Sequence, residues 1–141
     1  MADLNPLIRV RKHAVEQKQK FVAELYRQAE ELTAQKQRFL DQLAEEKEKI
    51  KNANSVEMLR FFNNYSKSVK ARVKDVDQSI RQLEKRIETA REDMREAFAE
   101  FKKIEITQAR REEEKEAALN KKEAIELDEM AIDGFRRRDE E

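Results

Sequence analysis

The sequence predicts an all-α fold, an elongated antiparallel two-helix coiled-coil hairpin in which the second helix is the longer. Three observations predict it. One Gly and one Pro in 141 residues leave almost no tight turns, so the chain must run in long elements. Glu, Lys, Gln, Arg, Ala and Leu dominate, with 44% of residues charged, and these side chains lose little freedom on entering a helix. Apolar residues recur at heptad spacing over two long stretches, with a slip of phase between them.

The first helix is predicted from about residue 6 to about residue 51. Asn5 suits an N-cap, and Pro6 suits the first helical position, where a missing N–H costs nothing. One seam runs through Ile8, Val15, Val22, Ala29, Leu43 and Ile50, broken by Lys36. A second is carried by Leu25, Leu32 and Phe39, and Leu7, Ala14 and Phe21 widen the stripe. Residues 51–55 have no periodicity, which places the bend at about 52–54. Asn54 stands three residues before Glu57, a spacing that fits a capping box, and Asn52 fits a left-handed helix end.

The second helix is predicted from about 55 to about 130. Its seams are Leu59, Val73, Ile80, Ile87, Met94 and Phe101, with Ser66 as a polar member, and Phe62, Val69, Val76, Leu83, Ala90, Ala97 and Ile104. A disordered chain would not hold such a repeat. Beyond Ile104 the seam positions turn polar at Gln108, Arg111 and Lys115. Gly134 is the expected stop, with residues 131–141 as a frayed tail. The whole chain, 1–141, reads as a single coiled-coil domain.

A hairpin, rather than one continuous helix, follows from two features. The first seam extrapolates to 57 and 64, whereas the second seam falls at 59 and 66. A slip of about two residues is neither of the usual coiled-coil insertions. Folding at the bend places Ile50 opposite about residue 56 and Leu7 opposite about residue 100. The second helix then loses its apolar seam where its partner runs out, and about 25 of its residues overhang, with little of their own to hold them.

Composition also narrows the function classes. Net charge is zero, which argues against a nucleic-acid binder. That zero conceals an asymmetry. Residues 1–59 carry 11 basic and 10 acidic side chains, residues 60–111 carry 14 and 9, and residues 112–141 carry 6 and 12. The absence of Cys excludes disulfides and thiolate sites. No apolar run is long enough for a bilayer span or a signal core, so a cytoplasmic location is expected.

No catalytic, cofactor or metal site is expected, and the chain is not read as an enzyme. His13 is the lone histidine, with nothing beside it to complete a site. The carboxylates interleave with cations at i,i+4, as in Glu16 and Lys20, Glu45 and Lys49, and Asp77 and Arg81, which reads as a solvated face. The run Glu112-Glu113-Glu114 lacks a rigid geometry for a cation, and there is no Gly-rich phosphate loop. The feature that resists this reading is the cluster Phe61, Phe62 and Tyr65 near the bend. Phe62 is a seam residue, whereas Phe61 and Tyr65 lie off the main seam, either capping the hairpin core or forming a partner-binding patch. Arg60, Lys67, Lys70, Arg72 and Lys74 surround them, with no acidic residue between 58 and 74. An acidic protein or an anionic surface would suit such a tip.

These residues resemble the FliJ family of the flagellar type III export apparatus. The opening Leu7-Ile8-Arg9-Val10-Arg11-Lys12 and the run Phe21-Val22-Ala23-Glu24-Leu25-Tyr26-Arg27 are similar to the family's N-terminal part. Leu127-Asp128-Glu129-Met130, followed by Phe135-Arg136-Arg137, is similar to its C-terminus. The resemblance implies a non-enzymatic, stalk-like antiparallel coiled coil without cofactors, peripherally associated with the membrane-bound export apparatus. The implied partners are the hexameric export ATPase, the cytoplasmic domain of the export-gate membrane protein and export chaperones, which it would escort. The family's gate contact lies early in the second helix, where Leu59, Phe62, Tyr65 and Val69 have the matching spacing. With Phe61 these form the candidate partner-binding set. Alternatives are the equivalent stalk of a virulence-type secretion system or a rotary ATPase, and a structural coiled-coil spacer or homodimer.

Overall fold

The structure is a computed structural model that describes residues 3–52 and 55–140. It contains two α-helices, α1 (Asn5–Ile50) and α2 (Val56–Glu140), and no strand among the described residues. They form an antiparallel hairpin with the longer helix second, as the sequence predicts.

Contacts divide the chain into two compact units. In the unit Ala14–Ala97, Val22 and Leu25 of α1 pack against Leu83, Ile87 and Ala90 of α2, with Ala29, Leu32 and Met94 closing around them. Leu25 is the most enclosed side chain, at 1% exposure, and Val15, Val69 and Val76 are also buried. All eight of these buried residues sit on the predicted seams, where a 3.5-residue period keeps one stripe facing the partner helix. At Lys36, where the α1 seam is interrupted, the ammonium reaches across to Asp77 of α2 at 2.7 Å.

The second unit joins the described residues up to His13 with those from Phe98 onward. Here the α1 N-terminus lies against Gln108: the Leu4 N–H donates to Gln108 Oε1 at 3.3 Å, and the Gln108 amide donates to Asp3 Oδ1 at 3.5 Å. Phe101 is buried beneath the adjacent ring of Phe98, and Lys102 lies 5.5 Å from the centres of both rings. Arg111 is the last partly covered residue; residues 112–139 are exposed.

Four local expectations are corrected, one of them the left-handed helix end at Asn52, since no described non-glycine residue has a positive φ. The cap of α1 lies one step earlier than predicted: the Leu4 carbonyl accepts from Ile8 N–H at 2.9 Å, and Asp3 Oδ1 accepts from Asn5 N–H at 3.0 Å. Asn5 and Pro6 are therefore both inside the helix, within the first turn, where N–H groups have no intrahelical partner to lose. Asn54 lies outside the described residues, and the hydroxyl that caps α2 is that of Ser55, which accepts from Met58 N–H at 3.4 Å. Gly134 does not end α2, which runs on as helix to Glu140. Gly134 has no positive φ, so the left-handed turn that would use a glycine as a stop is absent. The last correction is the register. Lys36 faces Asp77, whereas outward pairing from the bend put it opposite about residue 70, one heptad earlier.

Candidate partner-binding site

The register sets the character of the bend end of the unit Ala14–Ala97. With Lys36 opposite Asp77, the antiparallel pairing brings Ile50, the last residue of α1, opposite about residue 63. Residues 56–61, which open α2, therefore lie mostly past the end of α1. Their apolar side chains remain in water: Val56 is 71% exposed, Met58 52%, Leu59 46% and Phe61 70%. Ser55 holds this end in helical form, because its hydroxyl and its carbonyl accept from the N–H groups of Met58 and Leu59. A cleft of about 370 Å³ lies here, lined by Ile50, Met58 and Phe61 and rimmed by Glu46, Lys49 and Glu57.

The five candidate residues separate into three environments. Leu59 and Phe61 are exposed, Phe62 and Tyr65 are half-buried, and Val69 is 3% exposed. Only the first pair is exposed to a second molecule. Val56 and Met58, which the sequence reading left out, join them; their signal was an apolar pair between the bend and the first seam residue. Arg60, Lys67, Lys70, Arg72 and Lys74 are all exposed, and none forms an ion pair or hydrogen bond among the described residues. The tip thus offers apolar area flanked by cations that carry no internal counter-charge, a combination suited to an acidic, partly apolar protein surface.

Elsewhere the polar groups pair locally. Arg27 donates to Glu24 at 2.6 and 3.0 Å and also to Glu31. Its guanidinium, with the Gln28 amide, holds the Glu24 carboxyl down at about 2. A second cleft, of about 690 Å³, lies where Asp3 and Asn5 meet Gln108, Arg111, Glu112 and Lys115; its walls carry both signs of charge. Among the described residues no group of three or more His, Cys, Asp or Glu side chains could hold a metal ion, and no helix is long and apolar enough to cross a membrane.

Comparison with known proteins gives one finding. A family model described as "Flagellar FliJ protein" matches residues 1–140. No curated protein and no solved structure matches the chain. The match takes in both helices and nearly the whole sequence, and the chain belongs to the FliJ family of flagellar proteins.

Proposed function

We propose that this protein is a non-enzymatic component of the flagellar export apparatus: a stalk-like hairpin that works with the hexameric export ATPase and the export-gate membrane protein, and escorts export chaperones. It acts in the cytoplasm, peripherally associated with the membrane-bound apparatus. Family membership supports the setting. The observation that carries the reading is the exposed patch of Met58, Leu59 and Phe61 at the start of α2. A structural spacer has no use for a 70% exposed Phe beside a row of unpaired cations, since each exposed aromatic adds apolar area in water without stabilising the fold.

The gate contact uses Leu59 and Phe61 as anchors, with Phe62 and Tyr65 contributing their exposed edges and Val69 holding the helix pair beneath them. Calorimetric titration of the export-gate cytoplasmic domain into the full chain tests this. Phe61→Ala is expected to weaken the complex by more than about 1 kcal/mol, as for an anchor side chain. Binding that is unchanged in both Phe61→Ala and Leu59→Ala would overturn the assignment of this patch to the gate.

A further inference from the structure

Two stripes on α2 share one spacing and carry opposite charge. The first is Arg60, Lys67, Lys74 and Arg81, one cation per heptad, with the neutral residues Asn64, Ala71 and Gln78 between them. All seven positions are exposed. They alternate at four and three residues, the period of a helix–helix contact, on the side of α2 away from its buried seam. The second stripe is Glu112, Glu116, Glu123, Glu126 and Asp133, with Leu119 and Met130 completing the same alternation. These positions too are exposed, with Leu119 at 55% and Met130 at 70%. Each stripe spans 22 residues, with about 31 Å between its first and last positions.

An ordinary solvated face on this chain mixes its charges and pairs them along the helix, as Glu92 does with Arg95 and Glu100 with Lys103. Neither stripe does so. The four cations form no ion pair among the described residues, and neither do the five acids, of which Glu112 alone accepts a hydrogen bond, from Gln108 at 3.0 Å. Another copy of the acidic stripe cannot cover the acidic stripe, because like charges would meet at most positions. A basic helical face of equal length and period can, and this chain carries one.

We propose that the acidic face of residues 112–133 docks on the cationic stripe of residues 60–81 of a second copy of this chain; with the stripes in step, in either direction, Glu112, Glu126 and Asp133 meet cations and Met130 meets a neutral position. The contact is narrow. A strip of about 31 Å on helices about 10 Å wide lies below the area of a stable interface, so the association is weak and depends on salt.

Sedimentation equilibrium of the full chain over a wide concentration range tests it. Self-association is expected at about 0.05 M salt and should weaken at least about tenfold at about 0.5 M. Reversing the stripe (Arg60→Glu, Lys67→Glu, Lys74→Glu and Arg81→Glu) should abolish it, as should reversing the acids that meet it (Glu112→Lys, Glu126→Lys and Asp133→Lys). A chain carrying all seven changes restores complementarity with its own copies and should associate again. Circular dichroism should show unchanged helix content in each, since every altered side chain is exposed. A wild-type chain that stays monomeric at low salt would overturn the proposal, and the acidic face would then await another basic protein. Association indifferent to either reversal, or not regained in the seven-fold variant, would overturn it equally.

Discussion

Lys36 of α1 lies 2.7 Å from Asp77 of α2, with both side chains little more than one-third exposed. The pair occupies the point where the apolar seam of α1 is interrupted, and it ties one helix to the other at a definite height. Such a partly wet pair adds little stability, because solvent screens it. Its effect is on which residues face each other. A double-mutant cycle with Lys36→Ala and Asp77→Ala should give a coupling of roughly 0.2–1 kcal/mol that shrinks with salt. Lys36→Leu should leave stability equal or higher, since it continues the seam, while weakening the preference for this register. Distances between spin labels on α1 and α2 in the Lys36→Leu variant would report a second register; a single unchanged distance would show that Lys36 does not select it.

Burial separates two leucines on the same helix. Leu83 is 5% exposed in the core cluster, whereas Leu119 is 55% exposed. Leu83→Ala should cost roughly 2–4 kcal/mol in chemical unfolding, from lost transfer energy and the cavity it leaves. The same change at Leu119 should cost less than about 0.5 kcal/mol in the dilute chain. Equal losses would contradict the burial pattern.

Much of this fold is legible from the heptads, and the rest is missing for a physical reason. Period identifies a face: Leu25, Leu83 and Ala90 announce themselves as seam residues and are buried. Period does not identify height along the helix. Sliding one helix past the other by a heptad returns most seam residues to an apolar neighbour. The choice among such registers rests on polar contacts, here Lys36 with Asp77 and Gln108 with the Leu4 N–H, and a polar residue looks like surface in a sequence. The exposure of Leu59 follows from that register, so a seam position became part of the tip. The cluster near the bend could be named from composition; its division into exposed Phe61, half-buried Tyr65 and buried Val69 could not.

Gly134 offers a test of the distal helix. A Cβ there would meet nothing within 4 Å, and the backbone is helical. Gly134→Ala should therefore favour the helical state locally by about 0.5–1 kcal/mol. Slower amide hydrogen exchange around residues 130–138 is the expected result. Faster exchange would mean that the glycine acts as a helix end in solution.

The Glu24 carboxyl gives a pH prediction. Arg27 and Gln28 hydrogen-bond the ionised form and lower its pKa from 4.5 to about 2. A depressed carboxylate contributes stability that is present in full above the unfolded value near 4.5. That contribution is lost as pH falls through the folded value near 2. The group is exposed, so the effect is small and screened by salt. A carboxyl carbon titration by NMR should place Glu24 well below the other glutamates, and Arg27→Ala should bring it back toward 4.5. A Glu24 that titrates with the rest in the intact chain would show that the pair does not persist in solution.

The tip residues should divide stability from binding according to their burial. Phe61, at 70% exposure, has little packing to lose, so Phe61→Ala should shift the thermal midpoint hardly at all. Val69 is 3% exposed, and Val69→Ala removes two buried carbons at a cost of roughly 2 kcal/mol. Phe62, half-buried at the edge of the seam, should fall between them in stability and also weaken a complex at the tip. Tyr65, half-buried as well, should behave like Phe62 rather than like Phe61. Thermal unfolding of the four alanine variants, followed by titration with the export-gate cytoplasmic domain, measures both quantities on the same samples. If Phe61→Ala destabilises the isolated chain as much as Val69→Ala does, the Phe61 ring is packed in solution. The apolar tip would then be an end of the core and not a surface held ready for a partner.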